Sequence, residues 1–181
     1  MFEPPNPLWY ILAVILVICA LLPRPSHSAN LFEMFEASKV AKVAAEKYKR
    51  DADEVDKYID IAIEAAEARG IDPNILLAVI ATESGFNPKA KNPNSSASGL
   101  TQVMAKLHRG LIALYGGNPF DPETSVNAGA DLLQQHFDTS KGNVRKALNL
   151  YSGDSSGQYY NAVMKNHKWI KQARDYEDKN I

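Results

Sequence analysis

The segment from Asp72 to Pro88 sets the tightest constraint on what this chain can fold into. Asp72 is a good side-chain N-cap and Pro73 suits the first helical position, so a helix starts here. Leu76, Val79, Ile80 and Glu83 recur three and four apart and share one face, and a face bearing Leu, Val and Ile packs inward. Gly85 and Pro88 stop the helix near Ser84, which leaves Glu83 in the last turn on the apolar stripe. Burial and the negative end of the helix dipole both disfavour a charged carboxylate there and push its pKa upward. A carboxyl group kept protonated near neutral pH at the mouth of a cleft suits general-acid cleavage of a glycosidic bond. On spacing alone, a solvated or structurally paired glutamate is the competing reading.

Residues further along the chain bear on that choice. After a loop rich in Asn, Pro, Ser and Ala comes Ser98-Gly99-Leu100-Thr101-Gln102-Val103-Met104. The run from Glu83 through Ala90, with this second run after it, resembles the signature of the lytic transglycosylase catalytic domain. Downstream, Asn127-Ala128-Gly129-Ala130-Asp131-Leu132-Leu133 resembles the family's Asn-x-x-x-Gly helix start, displaced by one or two positions. Ala147-Leu148-Asn149-Leu150-Tyr151-Ser152-Gly153 resembles its Ala-Leu-x-x-Tyr-Asn-x-Gly segment. The resemblance covers roughly Val55 to Val163, and three ordered motifs are far more specific than one.

The resemblance implies a mainly α, lysozyme-like helical domain with at most a short β-ribbon, placed between Phe86 and Ser98. It implies cleavage of the β-1,4 bond between N-acetylmuramic acid and N-acetylglucosamine in peptidoglycan, closing a 1,6-anhydro ring, with Glu83 as acid and then base. Ser84, Gln102, Met104 and Tyr151 are the matching substrate-binding positions, Tyr151 standing where the family has a tyrosine with its hydroxyl beside the acid. Read without the family, Ser84 is a helix-end cap, Gln102 a surface amide, Met104 core filler and Tyr151 a core tyrosine. Tyr159 and Tyr160, ahead of Asn161-Ala162-Val163, resemble a later family segment that walls the groove, although such aromatic pairs are usually core. Thr101, Ala105 and Ser152 depart from the family pattern, as they would in a diverged phage or secretion-system branch.

Composition limits the alternatives. With 45% hydrophobic and 23% charged residues and a net charge of −1, the chain is an ordinary globular one with no long-range field, so nucleic acid is not an expected partner. Cys19 is the only cysteine, and His27, His108, His136 and His167 are scattered singly. No metal and no cofactor is expected from such a pattern. A hydrolytic muramidase would need a second carboxylate, for which Asp121, Asp131 and Asp138 are candidates. Asp121 reads as turn chemistry, and Asp131 and Asp138 as residues of an exposed helix face. The non-hydrolytic reaction is therefore favoured, and a non-catalytic glycan-binding or structural envelope protein stands as the alternative of another class.

The organisation reads as four parts. Residues 1–30 are a signal peptide or a membrane anchor: Leu8 to Leu22 carries no charge but is short for a bilayer crossing, and no Lys or Arg precedes it. Residues 31–50 form a juxtamembrane or linker helix, 51–170 the lysozyme-like domain, and 171–181 a charged, frayed tail. Within the domain, helices are expected over Val55 to Arg69, Met104 to Tyr115, Ser125 to Phe137, Asn143 to Tyr151 and Gly157 to Trp169. The expected partners are peptidoglycan glycan strands, the membrane through residues 8–22 if they are retained, and envelope-spanning or virion assembly proteins. The implied location is the cell envelope, on the periplasmic side or inner membrane, or a virion membrane.

Overall fold

The computed structural model describes residues 37–179. Leu8 to Leu22 lies outside them, and so does the choice between signal peptide and anchor. Among the described residues no helix is long and apolar enough to cross a membrane.

Seven helices and one two-stranded ribbon make up the described domain: α1 Lys39–Tyr48, α2 Ala52–Glu67, α3 Pro73–Glu83, β1 Ala97–Ser98, β2 Val103–Met104, α4 Arg109–Leu114, α5 Pro122–Thr139, α6 Val144–Ser152 and α7 Gln158–Glu177. The mainly α, lysozyme-like class expected from the sequence is what the chain adopts. Helix α3 is at the centre. Its N-cap Asp72 accepts a hydrogen bond from the Asn74 backbone N–H at 2.9 Å, and Pro73 occupies the first turn. The face carrying Leu76, Val79 and Ile80 packs inward, and Ile75, Leu77, Ala78 and Ala81 are buried as well. A helix apolar all round belongs in the middle of a domain. Helices α2 and α7 pack directly against it, and α5 and α6 close the core around Leu133, Leu148 and Val163.

The segment read as a linker helix joins this core. Val40, Ala41 and Ala44 of α1 are buried, and α1 packs against α2 and α7. Ser38 caps it by accepting from the Ala41 N–H at 3.1 Å.

Several expected boundaries move. The helix expected over Met104 to Tyr115 is confined to α4, because Met104 pairs with Ala97 in the ribbon and Ala105 to His108 form turns. The ribbon itself sits further along than expected, Ala97–Ser98 with Val103–Met104, joined only by an isolated bridge from Lys91 to Ser98. Helix α5 starts a turn earlier than Ser125, since Asp121 is its N-cap, accepting from the Thr124 N–H at 2.9 Å, and Pro122 its first residue. Helix α7 continues to Glu177, beyond Trp169 where a charged tail was expected. Ile170 and Ala173 are buried, Arg174 Nη1 donates to Asn74 Oδ1 at 3.3 Å and the Lys39 N–H donates to Glu177, so these last two turns belong to the packed domain and are not a frayed end.

Candidate active site

Glu83 is the last residue of α3 and is partly buried. Burial raises its carboxyl pKa above the ordinary carboxylate range, and one hydrogen bond opposes that rise: the Tyr159 hydroxyl donates to Glu83 Oε1 at 2.6 Å. A donor to the charged form favours it, whereas desolvation favours the neutral form, and here desolvation is the larger effect. Tyr159 comes from the first turn of α7, so the carboxyl is held between two helices that pack directly against each other. The turn before α7 is fixed locally: Asp154 accepts from the Ser156 N–H at 2.7 Å and the Tyr159 N–H at 2.8 Å, and the Ser156 side chain, followed by these two bonds, lowers the Asp154 pKa.

Tyr159 therefore takes the place expected of Tyr151. The Tyr151 hydroxyl instead donates to the Thr101 carbonyl oxygen at 2.9 Å, tying α6 to the Ser98–Met104 turn. It is still close enough to Glu83 that the carboxylate charge, after burial, helps push its pKa far up. The same two causes, in the same order, raise the Tyr159 hydroxyl. Both phenols thus remain protonated donors throughout the neutral range. The sequence did carry a signal for Tyr159, its likeness to the groove-wall segment. Choosing between the two tyrosines required knowing which helix face meets α3.

The other expected binding positions have definite places. Ser84 caps α3 from within: its hydroxyl donates to the Ile80 carbonyl oxygen at 3.1 Å. Gln102, at φ +52, donates its side-chain N–H groups to the carbonyls of Ala90 at 3.1 Å and Gly99 at 2.9 Å. Both donors of that amide hold the loop together, which leaves only its oxygen to meet a substrate. Met104 is 43% exposed on the ribbon while its neighbour Val103 is buried. The site's contacts therefore run Glu83, Tyr159 and Tyr151, and reach the ribbon through Thr101.

One departure from the family pattern, Thr101, is accommodated by its surroundings. Thr101 is fully buried, and its hydroxyl donates to the Ser125 carbonyl oxygen at 2.7 Å. A Cβ on Gly129, one turn further along α5, would meet the Thr101 side chain at 2.5 Å. A buried threonine is tolerated where its hydroxyl is paired and the facing residue has no side chain.

None of the three aspartates considered as a second carboxylate is free. Asp121 caps α5, and Asp138 accepts from Gln134 Nε2 at 2.9 Å. Asp131 is not on an exposed face: it pairs with Arg69 Nε at 2.5 Å and accepts from the Tyr115 hydroxyl at 2.7 Å. Among the described residues no three His, Cys, Asp or Glu gather as a metal site. A cleft of about 820 Å³, lined by Ile71, Ile75, Phe137, Tyr160, Met164 and His167 among others, opens at the other end of α3 from Glu83. Neither Glu83 nor Tyr159 lines it.

The chain is similar to known proteins over part of its length. The membrane-bound lytic murein transglycosylase C of Edwardsiella ictaluri is 38% identical over 85 residues, 42% of this chain and 23% of that protein. The protein of the same name from Yersinia enterocolitica is 33% identical over 99 residues, 50% of this chain and 27% of that protein. The chain thus matches about a quarter of the length of these curated relatives. The pattern of the transglycosylase SLT domain matches residues 60–181, which include Glu83, Tyr151 and Tyr159, and the chain belongs to that family.

Proposed function

We propose that this protein is a peptidoglycan lytic transglycosylase in which Glu83 acts as acid and then as base. The observation that carries this reading is the Glu83–Tyr159 pair, a desolvated carboxyl with a single phenolic donor, at the end of the central helix of an SLT domain. Protonated Glu83 gives its proton to the oxygen linking N-acetylmuramic acid to N-acetylglucosamine as that bond breaks. The muramic acid C6 hydroxyl then forms a bond to C1, and its proton passes to the Glu83 carboxylate, which restores the starting state. One carboxyl serves both halves, which agrees with the engagement of Asp121, Asp131 and Asp138 elsewhere. Tyr159 steadies the carboxylate between the two proton transfers, and the exposed Met104 and the Gln102 oxygen left over from its loop bonds support their reading as sugar contacts. The names of the relatives point to murein as substrate and to the cell envelope as the place of action.

Mass spectrometry of muropeptides released from purified peptidoglycan by the full chain, with Glu83→Gln alongside, tests this. Products ending in 1,6-anhydromuramic acid, absent with the variant, are expected. Products with a free reducing end would make the enzyme a hydrolase.

A further inference from the structure

Helix α1 lies upstream of the residues that the SLT pattern matches, yet it touches the end of α3 that carries Glu83. The link runs through Asn166 of α7, a polar side chain only 9% exposed. Its Oδ1 accepts from Trp169 Nε1 at 3.0 Å, the Tyr48 hydroxyl at 3.1 Å and Lys47 Nζ at 3.2 Å. Three donors on one side fix which way the amide faces, so Nδ2 points to α3, where it donates to Thr82 Oγ1 at 3.0 Å. Thr82 immediately precedes Glu83, and its own hydroxyl donates to the Ala78 carbonyl oxygen at 2.7 Å. The Tyr48 ring also lies against Gly85, where a Cβ would meet Tyr48 Cδ1 at 2.8 Å, and Arg50 Nε donates to the Gly85 carbonyl oxygen at 3.3 Å. Lys47 Nζ sits 5.3 Å from the Tyr48 ring centre and 5.1 Å from that of Trp169, which holds the cation over the same cluster.

We infer that Tyr48 of α1, acting with Asn166 through Thr82 and through Gly85, is a positioning residue that sets the place and the dryness of the Glu83 carboxyl. Asn166 and Tyr159 are seven residues apart on α7, two turns along one face, so the helix that gives Glu83 its hydrogen bond also grips the residue before it. Helix α1 in turn braces that face of α7 and the glycine just past the acid's helix. Removing a link loosens the last turn of α3, water reaches Glu83, and its carboxyl ionises more easily. This rests on Glu83 being the acid.

The test is the titration of the Glu83 carboxyl, read by carbon-13 NMR in the full chain, beside kcat and KM for anhydro-product release. Tyr48→Phe keeps the ring on Gly85 and loses the bond to Asn166, and Thr82→Val keeps the shape and loses the hydroxyl. Both are expected to lower the Glu83 titration midpoint and to reduce kcat about three- to tenfold with KM unchanged, as the loss of one hydrogen bond would. Thr82→Ser restores both readouts, and the double variant is no worse than the worse single one. A midpoint that stays at the wild-type value while only thermal stability falls would overturn the inference and leave α1 a purely structural helix. If the midpoint moves but the wild-type chain releases no product, the positioning stands and the transglycosylase reading fails.

Discussion

The two ends of α3 are built in different ways. At the N-terminal end, Asp72 is exposed, caps its own helix through Asn74 two residues away, and has His167 Nε2 at 3.6 Å as its one described distant neighbour. At the C-terminal end, Glu83 is held by Tyr159, seventy-six positions on, and its neighbours Thr82 and Gly85 by Asn166 and Tyr48. The cap of the first end is made by adjacent residues, with Asn74 also accepting from Arg174 Nη1 at 3.3 Å, and its carboxylate faces water. The second exists only once α1, α6 and α7 have closed on it. Local chemistry starts the helix, and long-range packing desolvates the carboxyl of its last turn.

That contrast predicts variants at one end to change chemistry and variants at the other to change only stability. Glu83→Gln has the largest expected effect, a loss of about a thousandfold or more in product release, measured by muropeptide mass spectrometry. Its effect on stability has the opposite sign. The Glu83 pKa is raised in the folded state, so its contribution is fully present at low pH and is lost as pH rises through the folded pKa. Glu83→Gln should therefore melt at a higher temperature than wild type at neutral pH, the gap closing as the pH falls. No gap at any pH would break the claim that this end is desolvated.

Tyr159→Phe comes next, with kcat down about 10- to 100-fold, the value of one hydrogen bond to a charged group. The activity limb that falls as Glu83 loses its proton should move to higher pH, because the donor that favours the carboxylate is gone. A pH–rate profile measured on both proteins checks it. Tyr151→Phe should leave that limb much nearer to wild type, since its hydroxyl serves the Thr101 carbonyl. Gly85→Ala should cost about 1–2 kcal/mol in urea unfolding, because φ is +55° and the new methyl meets the Tyr48 ring. The smallest effect is expected at the far end: Asp72→Ala loses about 1 kcal/mol of stability and leaves the rate per folded molecule unchanged. A catalytic defect there would blur the distinction between the two ends.

Much of the fold was legible because its signals are local. The Asp-Pro pair gave the start of α3 correctly, and the same pair at Asp121-Pro122 marks the start of α5, although there it reads equally well as a turn. Periodicity could not separate a strand from a helix at Met104, where two residues pair across a turn and no long apolar run exists to decide. The charged stretch after Trp169 looked like a tail because its buried positions are few, Ile170 and Ala173, and they matter only through what they pack against.

By itself, then, the sequence determined that a capped apolar helix ends in a glutamate with a glycine two positions on, within an ordered set of motifs. That was enough for the helical class and for singling out Glu83 as the candidate acid. Only the tertiary structure decided that Tyr159 and not Tyr151 donates to the acid, that Gln102 uses its donors on the loop, that Asp131 is paired with Arg69, and that α1 braces the site. The physical reason is range. Caps and helical periods act over three or four residues and can be read along the chain, whereas desolvation and the pairing of buried polar groups depend on residues brought together from distant positions.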